Sequence, residues 1–225
     1  MRRFTAHVES LSLSPTGQTV LRLLTSEQNT PRPGQAFLAL LPGRTEVARS
    51  VLLPVECSPN GFSCERPIDR AWRQGDDLDL LGPIGTGFRP PVNSRRWLVL
   101  SVDTGIAAML PLIQTARERR ASVSLWASTI PRGLPPDVEL ATNLRTSLAW
   151  ADFLAVSSTA AGLTGLRSLL SLEADEHIAM EAQALVVTDM PCGFGACMAC
   201  GVRSRRGWKL ACQDGPVFPL EGLTW

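Results

Sequence analysis

The 225-residue chain has no tyrosine and two histidines. Nowhere does it offer the eighteen or more consecutive apolar residues that a membrane-spanning helix needs. Lysine plus arginine number 22 against 21 for aspartate plus glutamate, so no global charge points to nucleic acid or to an anionic membrane. His7 and His177 stand alone, without an acid, a nucleophile or a second ligand beside them in sequence, and read as surface or satisfied core residues. The opening MRRFTAHVESLSLS lacks both the continuous apolar segment and the small-residue cleavage site of a secretion signal. Internal repeats and low-complexity tracts are also missing. These absences lead us to expect a folded cytoplasmic protein whose thiols stay reduced. Its cysteines then stand for metal or core rather than for disulfides.

Apolar residues make up 44% of the chain and charged residues 19%, ordinary values for a folded protein. At roughly one domain per 100–200 residues, the length favours two domains. The grammar of the sequence changes near Pro90-Pro91. Before it come short apolar-rich runs: FTAHVESLSL, then TVLRLLTS after Pro15-Thr16-Gly17, then AFLALLP, SVLLPVEC and DLDLLGPIG, each separated by turn residues. That pattern predicts an antiparallel barrel or sandwich. After it, RWLVLSV reads as a buried strand, IAAMLPLIQTARERRA as a helix with a basic C-terminus, and SVSLWAST as the next strand of a βαβ unit. ADFLAVSS with LTGLRSLLSL repeats the step, and ALVVTDM leads into the cysteines. The expected organisation is a β-barrel over 1–92, an α/β domain over 93–190 and a cysteine module over 191–225.

The stretch MPCGFGACMACGV places Cys192, Cys197 and Cys200 in a C-x4-C-x2-C spacing, and Cys212 follows in ACQDGPVF. Four thiolates complete the ligand set of a [2Fe-2S] cluster, and the first three match the plant-type ferredoxin spacing. Gly193, Gly195, Ala196, Ala199 and Gly201 let backbone N–H groups come close to sulfur, where such bonds tune the potential. A structural zinc site also takes four cysteines, but it favours paired C-x2-C knuckles, and only one is present. Cys57 and Cys64, spaced C-x6-C, read as core thiols. Arg203, Arg205, Arg206 and Lys209, between the last two ligands, either balance cluster charge and meet an acidic partner or form a solvated hairpin tip.

MPCGFGACMACGV with ACQDGPVF closely resembles the C-terminal segment of the dihydroorotate dehydrogenase electron-transfer subunits, which carry FAD and a [2Fe-2S] cluster. The resemblance reaches upstream, since GDDLDLLGPIGTGF is similar to the end of that family's flavin barrel, and the order of parts matches over nearly the whole chain. It implies a ferredoxin reductase-like fold: an antiparallel barrel, a Rossmann-like parallel-sheet domain and a [2Fe-2S] module. In that family FAD lies between barrel and α/β domain, NADH docks on the latter, and electrons leave through the cluster to a flavin in a catalytic subunit. The resemblance therefore implies an oxidoreductase subunit in a hetero-oligomer, partnered by a dihydroorotate dehydrogenase-like subunit or another redox protein.

The sequence departs from the family at the first two carriers. Where the family has arginine, proline, an aromatic or aliphatic residue and a hydroxyl, this chain has Arg49-Ser50-Val51-Leu52. Arg49 is the candidate FAD ligand. The glycine–threonine turn for the FAD pyrophosphate has no counterpart in FSCERPIDRAWR. The glycine-rich turn is Val102-Asp103-Thr104-Gly105-Ile106, where an aspartate would repel phosphate, and the cysteine–glycine–proline turn is Val156-Ser157-Ser158-Thr159. The reading is a [2Fe-2S] cluster on Cys192, Cys197, Cys200 and Cys212, with FAD allowed and NAD argued against. A cluster-bearing adaptor that has lost flavin and nicotinamide binding is one alternative, and a zinc module is another.

Overall fold

The computed structural model describes residues 1–14, 17–25, 30–43, 48–67, 70–129, 134–173 and 175–225. The expected turn at Pro15-Thr16, and Ile68 and Asp69 within the searched flavin interval, lie outside these residues.

Seven strands form the first layer: β1 (Arg2–Leu13), β2 (Thr19–Leu24), β3 (Ala36–Leu40), β4 (Ser50–Leu52), β5 (Pro54–Ser58), β6 (Gly61–Glu65) and β7 (Asp77–Ile84). They pair antiparallel in the order β4-β3-β7-β1-β2-β6-β5. The two edge strands are consecutive in the chain with Leu53 alone between them, so the sheet curls into a barrel. Alternation does the sorting: Ala6 and Val8 of β1, and Leu21 and Leu23 of β2, point inward. Phe37 and Phe62 stack at 4.6 Å within that core. The run SVLLPVEC, expected as one strand, is two, because Pro54 has no N–H for a continuing ladder and instead opens β5. β6 was not anticipated: Gly61 to Cys64 are all buried, so no period-two signal exists there.

The second layer contains β8 (Arg96–Ser101), α1 (Leu110–Glu118), β9 (Ser122–Ala127), β10 (Val138–Leu140), α2 (Leu144–Trp150), β11 (Phe153–Ser158), α3 (Leu166–Leu169) and β12 (Glu181–Val186). A 3-10 turn over Ile106–Met109 precedes α1. Every residue of β11 is buried, the near-continuous burial of a parallel strand covered on both faces. The helix expected over 163–172 is reduced to a 3-10 turn and the single turn of α3.

The last part holds the hairpin β13 (Gly201–Ser204) and β14 (Gly207–Leu210), then α4 (Ala211–Asp214) and β15 (Val217–Pro219). The second sheet runs β10-β9-β8-β11-β12-β15, parallel except for β15, which joins β12 antiparallel. The chain therefore returns to the α/β layer directly after the cysteines. Thr86 at the end of the barrel reaches it too, its Oγ1 donating to the Val217 carbonyl at 2.9 Å. One apolar cluster joins all three parts: Leu38 and Ile84 from the barrel, Leu98, Leu100 and Val156 from the parallel strands, and Cys200, Val202, Ala211 and Cys212 from the cysteine module.

Candidate metal centre

The four cysteines come from two pieces of chain. The loop before β13 supplies Cys192, Cys197 and Cys200, and the single turn of α4 supplies Cys212. The fold gathers them in two pairs, with Sγ atoms 3.2 Å apart in Cys192/Cys197 and 3.3 Å apart in Cys200/Cys212. A disulfide would need about 2.05 Å, and all four thiols are free. Two metal–sulfur bonds of about 2.3 Å at a tetrahedral centre span roughly 3.8 Å, so each pair approximates the edge one metal ion would occupy. Among the described residues no group of three or more His, Cys, Asp or Glu side chains is arranged to hold one metal ion.

The glycines have a visible reason. Gly193 has φ +76°, and a Cβ there would lie 2.5 Å from Leu38 Cδ1; Gly195 has φ +80°, and its Cβ would lie 2.6 Å from Gln213 Cδ. Gln213 holds the loop by donating from Nε2 to the Phe194 carbonyl at 3.0 Å. So tight a loop turns its amides inward. The slight burial of Cys192 opposes its thiolate, but backbone N–H groups of Cys197, Phe194 and Ala196, with the Cys197 thiol, lower its pKa to about 6. Burial and the Cys200 thiol push Cys212 up to about 12, against the pull of the Gly195 amide. One pair is buried, and the more open pair is the one that the loop amides serve. Cys200 and Cys212 are buried and Cys197 is exposed.

Phe194, Met198 and Trp208 are 59%, 60% and 69% exposed, so the outer face of the module is apolar. Arg203 and Trp208 are cross-strand partners on its hairpin, and Arg205 and Arg206 form the exposed tip. Lys209 is 3.5 Å from Asp214. Burial raises the pKa of Cys57, and Cys64, fully enclosed in the barrel, is pushed up strongly by desolvation. Both are core thiols away from the other four. His7, alone in sequence, meets Asp77 across β1 and β7 at 3.0 Å.

Arg49, the candidate FAD ligand, pairs with Asp79, on the face of β7 opposite the core residues Leu78 and Leu80. Its Nη1 donates to the Asp79 carbonyl at 2.7 Å and its Nη2 to Asp79 Oδ2 at 2.6 Å. Arg3 holds the other side of the same carboxylate, Nε donating to Oδ1 at 2.9 Å. Burial opposes charge on Asp79, but the hydrogen bonds from Arg3 and Arg49 outweigh it and hold the carboxyl below its ordinary value. Two guanidinium nitrogens of the candidate FAD ligand are thus engaged by Asp79.

An antiparallel barrel followed by a parallel-sheet domain, with four thiols from a loop and a following helical turn, defines a ferredoxin reductase-like fold with a C-terminal segment of the iron–sulfur binding type. Residues 188–224 match the iron–sulfur cluster binding domain of dihydroorotate dehydrogenase B. Over the aligned part the chain is similar to the electron transfer subunits of that enzyme. It is 28% identical over 182 residues to the subunit of dihydroorotate dehydrogenase B (NAD(+)) from Caldanaerobacter subterraneus subsp. tengcongensis, covering 68% of each chain. The Geobacillus kaustophilus subunit is 29% identical over 167 residues, covering 64% of each. The aligned part is thus about two thirds of these relatives' length. Among solved structures, an NADH-dependent reduced ferredoxin-NADP oxidoreductase studied for flavin-based electron bifurcation superposes with a TM-score of 0.74 at 18% identity, over 98% of this chain and 90% of that one. The ferredoxin reductase of carbazole 1,9a-dioxygenase, in its FAD apo form, gives 0.59 at 19% identity, over 76% and 63%. These two likenesses concern the fold.

Proposed function

We propose that this chain is an iron–sulfur electron-transfer subunit, carrying a [2Fe-2S] cluster on Cys192, Cys197, Cys200 and Cys212 and passing electrons to a catalytic partner in the cytoplasm. The observation that supports it most is the gathering of four free thiols into two touching pairs beneath a loop whose amides point at sulfur. The donor set fits the group, since thiolates are the ligands such clusters take and inward N–H groups are what tunes them. When bound, the cluster would supply reversible one-electron transfer. The chain's residues do the rest: Gly193 and Gly195 permit the tight loop, Gln213 fixes it, and Cys197 marks the side open to solvent. The match over 188–224 and the subunits most like this chain support a dihydroorotate dehydrogenase-type partner. Nothing in the proposal is routed through FAD.

Protein purified anaerobically is expected to hold about two irons and two acid-labile sulfides per chain. Replacement of Cys212 by serine is expected to leave a weaker, oxygen-sensitive cluster. Stoichiometric zinc in protein made with ample iron would sink the reading.

A further inference from the structure

We propose that Asp103 closes the first βα turn of this chain to nicotinamide dinucleotides, its carboxylate standing where a bound phosphate would stand and clasping that turn to the one after β11. The inference goes beyond the cluster reading and does not depend on the cysteines. In open α/β sheets a dinucleotide lies outside the carboxyl ends of adjacent parallel strands, against free backbone amides of the turns there. Here those strands are β8 and β11, ending at Ser101 and Ser158.

The space between their turns is filled from within. Asp103 Oδ1 accepts the Ser158 hydroxyl at 2.9 Å and the Thr159 backbone N–H at 2.8 Å. Asp103 Oδ2 accepts the Thr159 hydroxyl, whose oxygen in turn accepts the Gly162 N–H at 3.1 Å. Two amides that could have cradled a phosphate are therefore already satisfied by protein oxygens. Gly162 offers no gap either: a Cβ built on it would lie 2.4 Å from Asp103 Oδ2. A second rung runs alongside, with Thr104 Oγ1 and Ser157 Oγ 2.7 Å apart and the Ser101 hydroxyl donating to the Thr104 carbonyl at 2.5 Å.

Charge acts in the same direction. Partial burial opposes ionisation of Asp103, but the bonds from Thr159 and Ser158 outweigh it and hold the carboxyl below its ordinary value, so it is charged at neutral pH. From the barrel side, Glu65 Oε2 lies 3.8 Å from the position a Cβ on Gly105 would take, and burial raises its pKa. A pyrophosphate approaching Gly105 meets the charged Asp103, the bulk of the Glu65 side chain and no unclaimed amide at Thr159. Electrons reaching this chain then come from another redox protein rather than from NADH.

The test is calorimetric titration of the purified full chain with NADH and with ADP-ribose, which needs no iron and so fails independently of the cluster reading. The parent protein is expected to show no saturable binding up to millimolar ligand. Asp103→Gly, with iron content and circular dichroism unchanged, is expected to bind ADP-ribose about tenfold or more tightly, the scale of one nearby like charge at intermediate dielectric. Asp103→Asn keeps the shape and removes the charge, and it decides the matter should the glycine variant not fold. Saturation of the parent at micromolar NADH, or no gain in a folded variant, overturns the proposal.

Discussion

The loop over residues 192–200 and the turn over 102–106 answer opposite requirements with the same materials. In the cysteine loop, amides of Phe194, Ala196 and Cys197 converge on one sulfur while the thiols stay unbridged; donors and ligands are gathered around a guest. In the turn after β8, a side chain of the protein itself takes the amide of Thr159 and two hydroxyls. Glycine serves both ends. At 193 and 195 it lets the loop lie against the side chains of Leu38 and Gln213, and at 162 it lets a carboxylate lie flush against the chain. Small residues near an anion site therefore do not by themselves mark it as open. What decides is whether the converging donors have protein acceptors.

Three changes sharpen that contrast. The largest effect on metal content is expected from Gly195→Val, which puts a branched side chain at φ +80° and 2.6 Å from Gln213 Cδ. Backbone strain of about 1–3 kcal/mol at such a position should open the loop, and iron analysis should find most of the metal lost while the barrel stays folded by circular dichroism. Asp79→Ala tests a carboxylate that serves the frame alone. Removing the partner of the mostly buried Arg49 is expected to cost about 3–5 kcal/mol in a denaturant titration, with the iron-to-sulfide ratio unchanged. Because Asp79 has a depressed pKa, its contribution is complete above the ordinary aspartate value and fades as pH falls through its lower folded value. The smallest signal concerns Asp103. Its pKa is also depressed, so the Thr159 amide proton shift, followed by NMR in acid, should titrate with a midpoint below 3.8, the ordinary aspartate value. A midpoint above that value would mean that the clasp is not formed in solution.

The fold was legible where apolar runs are bounded by turn residues. β1, β2 and β3 fall on the predicted barrel runs, and β8, β9 and β11 on the predicted parallel strands. β6 was hidden because Ser63 is buried with its neighbours, and β10 and α2 were missed because three and seven residues carry little periodicity. The start of α2 did leave a trace, since Asn143 caps it by accepting the Thr146 N–H at 3.0 Å. The four cysteines were legible because their spacing is local. Asp103 was seen as an obstacle to phosphate, but not as a clasp, because Ser158 and Thr159 lie 55 and 56 residues away. The engagement of Arg49 by Asp79, 30 residues on, was equally out of reach. Long-range hydrogen bonds between polar side chains carry no period for a sequence to display.

The return of the chain through β15 has a bearing on how the protein matures. Cys192 follows β12, whose neighbour Gly193 is pressed on Leu38 of the barrel, whereas Cys212 is carried on the short link to β15, which is zipped onto β12. The barrel and α/β layer are synthesised first, and the last sulfur is delivered when the final strand finds its edge. On the proposed reading, iron arriving earlier would meet three thiols and an unfinished seat, and metal insertion would become an inspection step passed by chains in which both layers have closed around the junction.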